Sequence, residues 1–154
     1  MIQSSLKIGF ILLIALFYGT HLLYAYNYGQ GQIGGIKIKN IEICQNLAET
    51  AQGLGGRTVI EKDYGMLFLF DLPASEHLFW MKGMVQPIDI IWINDTKIVH
   101  IEESVLPPKS MMQTNLSSYG QKIMADKVLE VKAGFSDDYG LQLGDDFFYQ
   151  VINK

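Results

Sequence analysis

The residues with the clearest chemical potential are Arg57, Trp80, Lys82 and Asp89. Asp89 lies within Ile88-Asp-Ile-Ile-Trp-Ile93, where the two-residue period of a strand places it on the same face as Ile91 and Ile93. That face is expected to be buried, and a buried carboxylate without partners is costly enough that it must be paired or protonated. Lys82 precedes it across a short turn, and the Arg57 guanidinium offers two parallel hydrogen bonds to a carboxylate. The reading taken first is structural: Asp89 holds the Gly83–Pro87 turn through backbone N–H groups, or forms a buried ion pair that fixes register. The functional reading makes Arg57, Trp80, Lys82 and Asp89 the ligand-binding wall of a pocket for a small polar molecule. In a strand, Trp80 and Lys82 share one face and Phe79 and Met81 the other. Core packing is the simpler account of Trp80, and also of Met66, Met81 and Met84.

The enzymatic alternative is a hydrolase-like enzyme that uses Asp89 as acid or base with Lys82 or Arg57 as electrostatic stabiliser. It lacks a second placed carboxylate and a nucleophile motif, although Glu102, Glu103 and Asp145 are available. No catalytic residue is therefore assigned. The single cysteine, Cys44, ends the alternating stretch Ile41-Glu-Ile-Cys44 and reads as a buried structural thiol; it cannot form an intrachain disulfide. His21, His77 and His100 are not at metal-ligand spacing, so neither a metal nor another cofactor is implied. A third reading, an interaction domain without a small ligand, would show a contiguous exposed apolar patch.

These residues belong to a chain of 154 residues, 49% hydrophobic, which supports one domain with a real core. The formal charge is −4, and beyond residue 26 eleven basic residues face sixteen acidic ones, a balance of −5. Such a surface argues against a nucleic-acid partner. The first 26 residues differ in kind: Ile8 to Tyr26 carries no charge except what His21 can acquire. Nineteen residues at about 1.5 Å each span roughly 28 Å, enough for an N-terminal hydrophobic helix to cross a membrane. Cleavage as a signal peptide near Leu23-Tyr24-Ala25 is the alternative, with the poor fit that Leu23 is not small. Lys7 before the segment places the domain outside the cytoplasm: on the cell membrane with residues 8-26 as anchor, or periplasmic or secreted after cleavage.

Residues 27-35, rich in Gly, Gln and Tyr, read as a linker, and 36-154 as a single β-rich domain. Ile36-Lys-Ile-Lys and Ile41-Glu-Ile-Cys alternate with a phase change at Asn40, as across a bulge. Asn46 and Glu49 make a capping box for a short helix stopped by Gly53, Gly55 and Gly56. Strands are expected at Met66–Phe70, His77–Lys82, Ile88–Ile93, Lys97–Glu103, Lys127–Lys132 and Asp146–Ile152, separated by turn residues. Ser136-Asp-Asp138 opens a helical turn closed by Gly140, and the stretch from Met111 to Lys122 reads as a connection. Six to eight strands with so little helix predict a compact β-sandwich or barrel.

Several stretches carry a family likeness. They are Gly53-Leu-Gly-Gly-Arg57, Tyr64-Gly-Met-Leu-Phe-Leu-Phe70, Phe79-Trp-Met-Lys-Gly-Met-Val-Gln-Pro-Ile-Asp-Ile-Ile-Trp-Ile93, Val128-Leu-Glu-Val-Lys-Ala-Gly134 and Leu141-Gln-Leu-Gly-Asp145. From about Ile41 to Val151 the chain resembles the bacterial and archaeal family called domain of unknown function 192. The resemblance implies a compact, mainly β domain, commonly behind a signal or anchor, with no established activity. Gly55 stands where that family usually has Met, and Gly83-Met84 where it usually has Asn-Thr, which removes two hydrogen-bonding side chains. The leading expectation is a membrane-tethered, non-enzymatic binding or accessory module holding a small polar ligand or an envelope protein.

Overall fold

The computed structural model describes residues 27–70, 73–110 and 112–152. Among these the protein is mainly β, with eleven strands and two short helices. In chain order they are β1 (Asn27–Ile33), β2 (Ile36–Cys44), α1 (Leu47–Gln52), β3 (Tyr64–Leu69), β4 (Ser75–Glu76), β5 (Phe79–Trp80) and β6 (Ile88–Asn94). There follow β7 (Lys97–Val105), β8 (Ser118–Tyr119), β9 (Met124–Ala125), β10 (Lys127–Lys132), α2 (Phe135–Tyr139) and β11 (Phe147–Ile152). Seven strands form a mixed sheet in the order β11-β1-β2-β3-β10-β6-β7, and the pairs β4-β9 and β5-β8 lie outside it. Only the β2-β3 pair is parallel; the crossover between these strands contains α1.

The linker expected at 27-35 is instead β1 and the turn into β2, so the sheet starts at Asn27. Apolar periodicity is missing there because two of the three inward positions of β1 are glycine. A Cβ on Gly29 would lie 2.6 Å from the Gln150 carbonyl oxygen, and one on Gly31 would lie 2.7 Å from the Ile41 side chain. β1 therefore passes closer to β11 and β2 than any larger residue permits. The phase change at Asn40 is real: Gly29 faces Ile41 while Gly31 faces Ile38, so β2 carries the extra residue of a bulge. Ile38 and Ile41 thereby point to the same side.

Each face of the sheet is buried. On one side Met66, Phe68, Ile90, Trp92 and Val128 pack beneath the connecting segments; on the other, all seven strands contribute, from Ile33 and Leu67 to Ile91, Leu129 and Phe147. Each such side chain contributes about 1.5–3 kcal/mol by leaving water. The two outer strands are tied at one end. Phe147 N–H donates to the Thr96 carbonyl at 2.7 Å, Ile98 N–H to that of Asp145 at 3.0 Å, and Gly144 N–H to that of Ile98 at 2.8 Å.

Other expectations need adjustment. The strand expected over His77–Lys82 is only Phe79–Trp80, because its partner β8 offers just two residues. The connection from 111 to 122 carries β8, and its end seats Gly120 on Trp92. Asn46 caps α1 as expected, its side-chain oxygen accepting from Glu49 N–H at 3.0 Å, while Glu49 reaches back to Gln45 N–H at 2.9 Å. α2 ends at Gly140 in the left-handed region. The hydrophobic segment 8-26 lies outside the described residues, and no helix among those described is long and apolar enough to cross a membrane.

Candidate functional site

Asp89 is fully buried on the face of β6 that carries Ile91 and Ile93. Its partners are backbone groups: Ser104 N–H at 2.8 Å, Gly134 N–H at 3.0 Å and Ser136 N–H at 2.7 Å. A bulge in β7 opposite Asp89, with Ser104 at φ 49°, turns one of these donors inward. The other two come from the start of α2, where unpaired N–H groups and the helix dipole favour an acid. Neither Lys82 nor Arg57 touches it, and it does not hold the Gly83–Pro87 turn. Asp89 joins β6, β7 and α2, and it has no exposed surface with which to meet a ligand.

Arg57 is engaged elsewhere. Its two terminal nitrogens make a bidentate pair with the Glu42 carboxylate on β2, and its guanidinium sits 5.2 Å from the Tyr64 ring centroid. Burial and the Glu42 charge push the Tyr64 hydroxyl's pKa up. Cys44, one position along the same face, is buried, and its thiol pKa is pushed up by desolvation and by Glu49, Glu130 and Glu42. That environment holds it as an unreactive thiol.

Trp80 and Lys82 do come together. Both are exposed, with the Lys82 ammonium 5.9 Å from the indole centroid. They line a pocket of about 350 Å³ whose floor is Glu130 and whose opposite wall is Gly53-Leu54 at the end of α1. Phe79 and the stacked pair Phe70–His77, with centroids 3.5 Å apart, complete the arm above it. Desolvation lowers the His77 pKa. The structure thus divides the four expected residues: Trp80 and Lys82 at the pocket, Arg57 beside it in an ion pair, and Asp89 in the opposite core.

Glu130 is the residue that sequence reasoning misses. In Val128-Leu-Glu-Val-Lys132 it looks like a solvated strand position, since Leu129 and Val131 supply one buried face. Cross-strand register places it on one rung with Glu42, Met66 and Ile90, beneath the Gly53-Leu54 cover. It is 4% exposed, and its Oε2 has no hydrogen-bond partner. The Leu54 N–H donates to the carboxyl group, but desolvation dominates and pushes its pKa up to about 8. The only signal in the sequence is that Glu130 sits inside one of the family-like stretches.

Backbone geometry fixes this cover. Gly53 has φ 49°, and a Cβ on it would lie 3.5 Å from the Glu130 Oε2; Gly56 N–H donates to the Gly83 carbonyl at 2.8 Å. Gly55 and Gly83, two positions where the chain departs from the family pattern, lie against each other: a Cβ on Gly83 would be 4.0 Å from the Gly55 Cα. A second depression, of about 290 Å³, lies over Gln30, Gln32, Lys37 and Phe148. It has no buried unpaired polar atom of the kind Glu130 supplies.

A family model described as "DUF192: Uncharacterized ACR" matches residues 30–148. A crystal structure of a proposed transcription regulator from Sinorhizobium meliloti 1021 superposes with a TM-score of 0.69 at 25% identity, covering 80% of this chain and 95% of that one. A protein of unknown function from Novosphingobium aromaticivorans DSM 12444 gives 0.67 at 25% identity, covering 83% and 89%. No curated protein matches the chain. The chain belongs to the DUF192 family.

Proposed function

We propose that this DUF192 member is a non-enzymatic binding module whose ligand enters the pocket between the α1 end and the Phe79–Lys82 arm. The observation that carries the reading is the Glu130 carboxyl: buried, lining the pocket, with one oxygen unpartnered. A fold that leaves one buried carboxyl oxygen without a partner forgoes stability, and a ligand that supplies the missing hydrogen bond recovers it. Phe79 and Trp80 add an apolar wall of the kind that gives small-molecule sites their affinity.

Several wider features belong to the same proposal. The bonds tying the segment before β11 to the start of β7 support a sheet curled into a barrel-like body. The uncharged stretch 8-26, leading directly into β1, supports tethering to a membrane with the barrel outside the cytoplasm. The regulator description of the Sinorhizobium structure is not carried over, because the acidic balance of this chain disfavours nucleic acid. A hydrolase built on Asp89 finds no support in a carboxylate saturated by three backbone donors.

The test is thermal melting of the full chain in detergent against a metabolite and metal panel, with Glu130→Gln and Trp80→Ala alongside. A compound that raises the wild-type melting temperature and loses most of that effect in both variants supports the module. If no compound stabilises wild type, or the variants respond equally, the pocket is not a ligand site.

A further inference from the structure

We propose that the pocket over Glu130 selects an organic cation: an ammonium group on an apolar stem, with the ammonium at the Glu130 carboxyl and the stem along Phe79 and Trp80. The inference rests on the binding-module reading and deepens it by naming the ligand class.

Three observations carry it. The first is the unpartnered Oε2 of Glu130 at the pocket floor, where an ammonium provides up to three donors. The second is the charge of the surroundings. Around Cys44, behind the pocket, β2 contributes Glu42, α1 Glu49 and the glycine loop Arg57, while the pocket lining itself contributes Glu76, His77 and Lys82. Glu130 aside, three carboxylates thus face two permanent cations, and Arg57 is already paired to Glu42. An anionic ligand would meet this excess of like charge. The third is that the aromatic wall already holds a cation: the Lys82 ammonium lies 5.9 Å from the Trp80 centroid, at the exposed rim. A ligand ammonium continuing inward follows the same attraction to an aromatic surface.

Binding then has a definite proton balance. With its pKa pushed up to about 8, Glu130 enters the reaction at pH 6.5 as a carboxylic acid. On binding its O–H bond breaks, the proton passes to the buffer, the amine keeps all of its protons, and an ammonium–carboxylate pair remains.

Isothermal titration of the full chain in detergent, with n-hexylammonium against 1-hexanol and hexanoate, tests this. Running it in two buffers of different ionisation enthalpy counts the protons released. The expected result is binding of the amine at least tenfold tighter than of either control, with close to one proton released at pH 6.5 and little at pH 9. Glu130→Gln should weaken the amine at least tenfold and abolish proton release, and Trp80→Ala, at an exposed position, should weaken it several-fold without lowering the melting temperature. A blocked lysine, Nα-acetyl-lysine methylamide, distinguishes the sources. If it binds tighter than hexylammonium the ammonium comes from a polypeptide side chain, and if weaker, from a free amine. Hexanol or hexanoate binding as tightly as the amine, or amine binding unchanged in Glu130→Gln, overturns the cation class. A neutral or anionic panel compound whose effect depends on Glu130 would overturn that class while leaving the pocket standing; no compound of any kind binding would remove both.

Discussion

The Asp89 carboxylate accepts from the Ser136 backbone N–H at 2.7 Å, joining β6 to the first turn of α2 across 47 residues of chain. With Ser104 and Gly134 also donating, the group satisfies three backbone N–H groups, of which that of Ser136 is buried and the other two partly so. Asp89→Asn keeps the size but turns one acceptor oxygen into a donor, which must face at least one of these N–H groups. The expected loss is about 2–4 kcal/mol, seen as a lower denaturant midpoint with an unchanged slope. Ligand-induced stabilisation should persist in the folded fraction, since Asp89 does not line the pocket. A variant as stable as wild type would show that the three bonds are dispensable.

Gly120 and Trp92 define a second point of close packing. A Cβ on Gly120 would fall 2.7 Å from three atoms of the Trp92 indole, and its φ of 89° disfavours any side chain. Trp92 cannot retreat, being fully buried with its Nε1–H donating to the His77 carbonyl at 3.1 Å. Gly120→Ala should therefore cost about 2–4 kcal/mol by overpacking and backbone strain together. Trp92 fluorescence and the denaturation midpoint should both shift, whereas Gly144→Ala, with open space around its Cβ position, should cost less.

Much of the sheet is legible in the sequence because β6, β7 and β10 alternate or run continuously apolar between clear turn residues. β1 is not, since glycines occupy inward positions that hydrophobic patterning needs filled, and their role emerges only from the approach of Gln150 and Ile41. The two-residue strands β4, β8 and β9 have no periodicity to read. At the site, Trp80 and Lys82 are recognisable by type and spacing. Asp89 is rightly seen as buried, but its partners come from backbone distant in sequence, which side-chain chemistry cannot name. Glu130 is hidden for the converse reason: its own strand makes it look solvated, and the α1 end and glycine turn that cover it belong to another part of the chain.

The Arg57–Glu42 pair makes a further expectation. The Glu42 side chain is 9% exposed and that of Arg57 31%, so removing the guanidinium leaves a nearly buried carboxylate uncompensated, while solvent at the Arg57 side screens part of the effect. Arg57→Ala is expected to cost about 1–3 kcal/mol, and Arg57→Lys to recover only part of it because one ammonium cannot make the bidentate contact. The double variant Arg57→Ala/Glu42→Gln should be more stable than Arg57→Ala alone. Chemical denaturation of wild type, Arg57→Ala, Glu42→Gln and the double variant gives the coupling directly.

The Glu130 carboxyl also sets a pH dependence of stability with a definite sign. Its folded pKa of about 8 lies above the ordinary value of 4.5, so between these limits the folded protein holds a proton that the unfolded chain has released. Stability contributed through this group is therefore full below about pH 4.5, falls as pH rises, and levels off above about pH 8, with a total span of roughly 5 kcal/mol at most. His77, whose pKa is lowered by burial, acts in the opposite sense, favouring the fold more as pH rises through its ordinary range. Comparing wild type with Glu130→Gln separates the two, because glutamine keeps an acceptor for Leu54 N–H but does not titrate. Unfolding free energies at pH 5, 7 and 9 should show the variant gaining on wild type at each step, with the largest advantage at pH 9. A saturating cationic ligand should reverse the trend by making the charged carboxylate the favoured state, so that in its presence wild type regains the advantage at neutral pH. A difference between the two proteins that stays constant from pH 5 to 9 would mean that Glu130 titrates normally and that the pocket floor is wetter than its burial indicates.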